Sequence, residues 1–187
     1  MQCSITRNDV RFLIRLRSWC AMLLAGVIMH AHAAAHSGEP PHLPSVRGET
    51  LLVIEGAITH TNHNDGTVHL DTGLIQQLPP HTLSTSTAVM DGVRRFDGVL
   101  MRDLLELVGA HGTMVEAHAH NGYAVDIPVS DFYDFGVLVA THMDGEQLRL
   151  SGKGPLWIVY PRDVSRKLQD IRYDYRWVWQ LNRLTVK

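Results

Sequence analysis

Hydrophobic and polar positions alternate in short runs along this chain, a pattern that predicts many short strands and few helices. The apolar, β-branched run at residues 51–58 is typical of a buried strand. A turn signal at Asp65-Gly66 follows, and residues 68–70 can return beside the first strand as the second arm of a hairpin. Asp71 is then placed to N-cap a short helix over residues 72–78, which two prolines would end.

The second half of the chain repeats this pattern of hairpins separated by one amphipathic segment. Apolar residues at helical spacing over residues 99–108 predict a surface helix. Residues 114–127 and 137–150 predict two hairpins, around the turn dipeptides Asn121-Gly122 and Asp144-Gly145. Residues 128–135 suit a turn or short helix, and residues 154–161 an apolar strand. The chain finishes as a closing strand or an irregular edge segment. Strands dominate, which predicts an α+β fold with a mixed β-sheet and few short helices.

The N-terminus has the features of a signal peptide, which we place at residues 1–35. Arginines precede an apolar run at residues 19–29, which is well short of the roughly 20 residues needed to cross a bilayer. Small residues suited to cleavage follow. No arginine pair directs the chain to the twin-arginine route, so we expect export by the general secretory route and a periplasmic location. A Pro-rich, flexible leader at residues 36–50 and a single domain at residues 51–187 would follow.

Charge and cysteine usage narrow the possible chemistry. Both cysteines, Cys3 and Cys20, fall in the predicted signal peptide. The mature domain would therefore have no disulfide, thiolate metal ligand or cysteine nucleophile. The formal net charge is −2, and loss of the N-terminal arginines makes the body more acidic. Such a charge argues against nucleic acid as a partner.

The 12 histidines of the chain raise the question of a metal site. His118 and His120 would share one face of a strand, and His60 and His63 lie beside a turn. Zinc needs three or four converging ligands, which neither pair supplies alone. No metal site is therefore expected.

The stretch from Leu83 to Leu105 is the strongest candidate for binding chemistry. Its hydroxyl side chains, which include Thr85 and Ser86, lead into a turn, then Phe96, Gly98 and the predicted helix. We call residues 83–87 the hydroxyl strap. A strap of this kind can hold a polar ligand, although serine and threonine also bond to their own backbone.

Several further motifs accompany the strap in a fixed order. They are Asp91-Gly92, the run from Phe96 to Leu100, His120-Asn121-Gly122-Tyr123, Asp144-Gly145, Gly154-Pro155-Leu156-Trp157 and Trp179-Gln180-Leu181. The ordered set resembles the sulfite-oxidase-like molybdopterin-binding domain, and more closely its small, exported, single-domain members. The resemblance runs from about Leu51 to Val186 and implies the sulfite-oxidase-like fold.

The resemblance also shows a departure. Enzymes of that family bind molybdenum through a cysteine thiolate on the strap, where this chain has Thr85 or Ser86. A hydroxyl is a hard, poor substitute for a soft thiolate, so molybdenum is not expected. The fold could still hold a reduced pterin. The resemblance implies binding by Thr85, Ser86, Phe96, Asn121, Tyr123 and Trp157. Asn121-Gly122 could instead be only a type I′ turn, and Phe96 and Trp157 only core residues.

Some small members of the family look like periplasmic pterin-binding regulators that act with membrane-anchored cyclic-di-GMP enzymes. The resemblance thus implies a non-catalytic protein that relays its ligand state to a membrane-anchored diguanylate cyclase or phosphodiesterase. Two alternatives stay open. One is a molybdopterin-dependent oxidoreductase with an oxygen ligand in place of cysteine, and the other is an interaction module without a ligand.

Overall fold

The computed structural model describes residues 42–187, so the predicted signal peptide, residues 1–35, lies outside the described residues. Part of the predicted leader is hydrogen-bonded to the domain. The backbone N–H of Leu43 donates to the Thr61 carbonyl at 3.0 Å. The amides of Arg47 and Gly48 both donate to Asp71 Oδ2 at 2.8 Å. None of the helices in the described range has the length and hydropathy needed to cross a bilayer.

Within residues 42–187, ten strands form two five-stranded sheets, where the sequence predicted a mixed sheet. The first sheet has the order β2-β1-β10-β5-β6. It contains β1 (Leu52–Gly56), β2 (Val68–Leu70), β5 (Met114–Ala119), β6 (Ala124–Pro128) and β10 (Leu181–Val186). Strands β1 and β10 are parallel, and the other neighbours are antiparallel. This sheet is therefore the mixed one.

The second sheet is entirely antiparallel, with the order β3-β4-β7-β8 and β9 paired with β7. It contains β3 (Pro80–Ser86), β4 (Val93–Leu100), β7 (Leu138–Met143), β8 (Glu146–Gln147) and β9 (Trp157–Val159). Strands β3 and β4 form a hairpin, so the hydroxyl strap lies mostly on a regular strand. Buried side chains from both sheets, including Ile54, Leu184 and Val139, belong to one hydrophobic core.

The helices are short, as the sequence predicted. They are α1 (Thr72–Ile75), α2 (Met101–Leu107), α3 (Val129–Asp134) and α4 (Ile171–Asp174), with 3₁₀ turns at Arg162–Val164 and Arg166–Gln169. Asp71 is the N-cap of α1, because its Oδ1 accepts from the Leu74 amide at 2.9 Å. The C-terminal strand β10 is not at an edge, and that alternative was wrong. It lies in the middle of the first sheet, with Leu181 and Leu184 fully buried.

Close backbone approach makes Gly98 a sensitive position in the second sheet. A Cβ atom at this residue would lie 2.1 Å from the Val139 carbonyl oxygen and 2.8 Å from Ala140 Cα. Both are backbone atoms of the neighbouring strand β7, so the strands would have to separate. We expect Gly98→Ala to lower the free energy of unfolding by about 1–3 kcal/mol in urea denaturation. Gly152→Ala is the control, since its nearest neighbour would be 3.6 Å away. Equal stability of the two variants would contradict this account.

Candidate functional site

Three separate segments enclose an aromatic cavity of about 400 Å³. The loop after β3, the β5–β6 hairpin and the segment from α4 toward β10 each supply part of its wall. The lining residues are Ala88, Val89, Ala119, Asn121, Tyr123, Ile171, Asp174, Tyr175, Trp177 and Trp179. The volume is within the range of small-molecule sites, which are mostly apolar with a few placed polar groups.

Four aromatic side chains dominate the wall of this cavity, and three of them come from the C-terminal segment. Tyr175, Trp177 and Trp179 alternate along the chain before β10, whereas Tyr123 projects from the β5–β6 hairpin. The Tyr123 hydroxyl donates to the Tyr175 carbonyl at 2.6 Å and so ties the two segments together. Partial burial raises the pKa of Tyr123, which keeps the phenol protonated as this donor. Flat aromatic faces of this kind suit a stacked heterocycle.

The polar groups at the cavity are few. Asn121 accepts a hydrogen bond from the Tyr123 amide at 3.0 Å through Oδ1, which leaves its side-chain NH₂ as a donor. The Asp174 carboxylate accepts from Arg162 Nε at 3.3 Å. The buried Trp177 Nε1 finds no acceptor among residues 42–187. The cavity thus offers one side-chain amide donor and one carboxylate, since the Trp177 N–H is buried in the wall.

The two strap hydroxyls lie at the end of β3 and do not line the cavity. Thr85 is fully buried; its Oγ1 donates to the Ser86 carbonyl at 3.3 Å and accepts from the Asp163 amide at 3.4 Å. Ser86 donates to Asp163 twice, from its hydroxyl at 2.5 Å and from its amide at 2.6 Å. These bonds lower the pKa of Asp163. Both strap residues are therefore fastened to the 3₁₀ turn that contains Asp163.

Phe96 and Trp157 are completely buried, so the direct ligand contact predicted for them does not fit this structure. Their rings pack edge to face with centroids 5.3 Å apart. Trp157 in turn packs against Trp177 at 6.0 Å, and Trp177 lines the cavity. Phe96 and Trp157 therefore belong to the buried layer that packs against the cavity wall. The other four predicted site residues divide between the cavity (Asn121, Tyr123) and the fastened strap (Thr85, Ser86).

A cation adjoins the aromatic wall on the side of a second, more polar cavity. Lys153 Nζ lies 3.7 Å from the centroid of the Trp179 ring and 5.3 Å from that of Trp157. Partial burial lowers the pKa of Lys153. The residue also lines a cavity of about 700 Å³ with Arg149 and Ser151. An anionic substituent of a ligand stacked on Trp179 could therefore meet a lysine.

Sequence reasoning missed Tyr175, Asp174 and Ile171 as cavity residues, and saw Trp177 and Trp179 only as part of the closing segment. A usable signal was present. Aromatic residues at every second position from Tyr173 to Trp179 are denser than a single core strand requires. Asp163 was also missed, because its partner Ser86 is 77 residues away in sequence.

The two sheets, the few short helices and the aromatic cavity define an α+β fold with a candidate ligand-binding site. Residues 75–170 match the profile of the oxidoreductase molybdopterin binding domain, and the protein belongs to that family. The family resemblance and the fold predicted from sequence are thereby confirmed. The match includes the strap and Trp157 but ends before the aromatic residues of the C-terminal segment.

Among solved structures, the sulfane dehydrogenase SoxCD from Paracoccus pantotrophus is similar to this chain, with a TM-score of 0.53 and 18% sequence identity. The similarity covers 72% of this chain and 37% of the SoxCD chain, so this protein corresponds to little more than a third of that one. Such a likeness establishes the fold alone. No curated protein matches the chain significantly.

Family membership makes a pterin-type compound the ligand class to test against the site. The aromatic cavity fits the ring system, because it combines stacking faces with a carboxylate and an amide. The strap does not fit the metal. The chain has no cysteine after Cys20, and the hydroxyls of Thr85 and Ser86 are hard donors already engaged with neighbouring protein groups. The residues therefore suit the organic part of the family's cofactor and not its molybdenum.

Proposed function

We propose that this protein is a non-catalytic, periplasmic pterin-binding protein that relays its ligand state to a membrane-anchored enzyme of cyclic-di-GMP signalling. The observation that carries the proposal is the aromatic cavity beside a strap without a thiolate. The family is one of oxidoreductases that bind molybdopterin. In this chain the ring-binding features are present and the metal ligand is replaced.

Pterin binding is supported by the chemistry of the wall. A pterin is a flat bicycle with hydrogen-bond donors and acceptors along one edge. The ring could stack on Tyr175 or Trp179, while Asp174 and Asn121 offer an acceptor and a donor to its polar edge. Stacking is tolerant of the exact heterocycle, whereas the polar groups would select the orientation.

A non-catalytic role is supported by the state of the strap. The Ser86 hydroxyl, at 2.5 Å from Asp163 Oδ1, is part of a clamp with two hydrogen bonds to one carboxylate. Thr85 has no exposed surface. Thr85 would have to leave its buried position before it could offer an oxygen to a metal, and Ser86 would offer only a neutral hydroxyl whose proton is bound to Asp163. This favours the binding protein over the oxidoreductase alternative.

A relay role is supported by the residues that surround the cavity. Val89, Tyr123, Ile171 and Tyr175 line it and are also exposed to solvent. A ligand between the β5–β6 hairpin and the C-terminal segment would change a surface that a partner can contact. The change in partner affinity is limited by the difference in ligand affinity between the free and partner-bound states. The predicted signal peptide supports the periplasmic location.

The first experiment is to identify the ligand by mass spectrometry and fluorescence after purification, followed by calorimetric titration. We expect binding of one tetrahydrobiopterin per chain, and weaker binding of adenosine as a control heterocycle, because adenine lacks the adjacent ring N–H and amino donors that a carboxylate such as Asp174 can accept from in a pterin. Failure to bind any reduced pterin below millimolar concentrations would contradict the proposal and favour the ligand-free module. Stoichiometric molybdenum in metal analysis would contradict the non-catalytic role.

The relay is tested separately by capture of the periplasmic domains of the membrane-anchored diguanylate cyclases and phosphodiesterases of the source genome on the purified protein, with and without tetrahydrobiopterin. We expect the affinity between the two proteins to change when tetrahydrobiopterin saturates the cavity. Equal affinity with and without the pterin would contradict the relay and would leave the proposed pterin binding unaffected.

A further inference from the structure

The hairpin loop between β1 and β2, together with β2 itself, brings three metal-ligating side chains together. One ligand atom each from His63, Asp65 and His69 can be chosen so that all lie within 4.8 Å of one another. His63 Nδ1 is 2.9 Å from Asp65 Oδ1. The rings of His63 and His69 are stacked, with centroids 4.3 Å apart and planes 16° from parallel. Within residues 42–187, no other group of three or more His, Cys, Asp or Glu side chains has its possible ligand atoms this close together.

Asn62, whose side chain is almost fully buried, ties the loop that carries His63 and Asp65 to strand β2, which carries His69. Asn62 Oδ1 accepts from the His69 amide at 2.8 Å, and Nδ2 donates to the His69 carbonyl at 2.8 Å. The same Nδ2 donates to the Pro44 carbonyl at 2.9 Å. The backbone of His69 is therefore held beside the residue that precedes His63. This bonding sets the distance between the two histidines without any bound ion.

Neighbouring hydroxyl groups orient two of the three ligands. Asp65 Oδ1 accepts from the Thr67 hydroxyl at 2.6 Å and from the Thr67 amide at 3.1 Å. Thr50 Oγ1 lies 3.4 Å from His69 Nδ1, which leaves Nε2 of that ring for another partner. Contacts of this kind are how metal ligands are usually held in orientation.

We propose that His63, Asp65 and His69 bind a divalent transition-metal ion of the zinc, nickel and copper class. Two imidazoles and one carboxylate match the ligand preferences of these ions, whereas magnesium and calcium favour oxygen donors alone. His63 and Asp65 are about half exposed, so a coordination position remains open to water or to an external donor. Because the rings are stacked and nearly parallel, both would have to rotate so that one nitrogen of each points at the same ion.

Of the four histidines singled out from the sequence, only His63 belongs to this site. His60 Nδ1 is 2.8 Å from the Leu107 carbonyl, on the other side of the loop. His118 faces Glu116 at 3.4 Å, and His120 Nδ1 lies 3.4 Å from the Asn182 side chain. The ligands of the proposed site are His63 and the residues two and six positions after it. None of them lines the aromatic cavity, so the metal site does not depend on the proposed pterin binding.

The test is calorimetric titration of the purified, untagged protein with ZnCl₂ and, separately, NiCl₂. We expect a saturable site with one ion per chain that is weakened at least about tenfold by His69→Ala, and similarly by His63→Ala and Asp65→Asn. His118→Ala is the matched control and should leave this site unchanged. Circular dichroism melting of each variant without metal checks that the fold is retained.

A second readout follows the ligands directly. Cu²⁺ bound to the parent protein should give an electron paramagnetic resonance spectrum with nitrogen hyperfine coupling, which is lost in the His63→Ala, His69→Ala double variant. Two results would overturn the proposal. One is the absence of any site tighter than about 100 μM, which corresponds to a binding free energy near −5.5 kcal/mol. The other is a site of unchanged affinity and spectrum in the double variant.

Discussion

Replacing Asp131 with alanine should lower the free energy of unfolding by about 3 kcal/mol, since it removes the buried carboxylate that joins three elements. Asp131 Oδ2 accepts from the Tyr160 hydroxyl at 2.9 Å and forms an ion pair with Arg176. Burial and the nearby carboxylate raise the pKa of Tyr160, so the phenol remains a donor. Without Asp131, both the Arg176 guanidinium and the Tyr160 hydroxyl would lose their partner in a mostly apolar setting.

Asp134→Ala is the matched control, because it removes the same charge from an exposed position of the same helix α3. Its free energy of unfolding should stay within about 0.5 kcal/mol of the parent. Tyr160→Phe should cost about 1.5 kcal/mol, the loss of one hydrogen bond to a charged acceptor. Guanidinium denaturation measures all three. If Asp131→Ala and Asp134→Ala were equally stable, the buried ion pair would have no such role.

The ion pair also has a consequence for the aromatic cavity. Arg176 lies between Tyr175 and Trp177 in the chain, and both neighbours line the cavity. Its guanidinium carbon is 4.8 Å from the centroid of the Tyr173 ring. Asp131 therefore anchors the C-terminal wall of the cavity to α3. A substitution that breaks this ion pair should therefore also lower the affinity of the cavity for its ligand.

Local turn chemistry explains why most hairpins were predictable from sequence. Asp144 and Gly145 both have positive φ, of 52° and 85°, as a tight two-residue turn requires. At Asn121-Gly122 the hairpin was confirmed but the type I′ interpretation was wrong. Among the described residues, Gly122 has positive φ and Asn121 does not. The hydrogen bond from the Gly122 amide to the Ala119 carbonyl starts the turn one residue earlier than that interpretation assumed.

The pairing of strands that are far apart in the chain could not be predicted from the sequence. Nothing local indicates that β10 lies between β1 and β5, since its parallel partner β1 is some 130 residues earlier. The same limit applies to the candidate site. Ser86 meets Asp163, and Tyr123 meets Tyr175, only because the two sheets fold against the C-terminal segment. An apolar pattern also cannot tell a cavity wall from the layer behind it, which is why Trp157 was assigned too close to the ligand.

Tyr175→Ala should weaken pterin binding by roughly tenfold to a hundredfold, because stacking of a heterocycle on an aromatic ring contributes about 1–3 kcal/mol. Tyr175 is 60% exposed at the cavity, so its side chain contributes little to folding. The hydrogen bond from Tyr123 goes to the backbone carbonyl of Tyr175 and survives the substitution. The change should therefore act on the ligand and leave the fold intact.

Tyr133→Ala provides the matched control for this prediction. Tyr133 is 48% exposed on α3 and does not line the aromatic cavity. Titration of both variants with tetrahydrobiopterin separates a local stacking contact from a general effect of losing a surface tyrosine.

Unchanged affinity in Tyr175→Ala would show that the pterin ring stacks on another residue of the cavity wall. Of the remaining aromatic residues of the wall, Tyr123, Trp177 and Trp179, the one beside a cation is Trp179, whose ring Lys153 contacts. A ligand held there would gain from both the indole face and the nearby cation, and its affinity would fall with added salt because that charge interaction is screened.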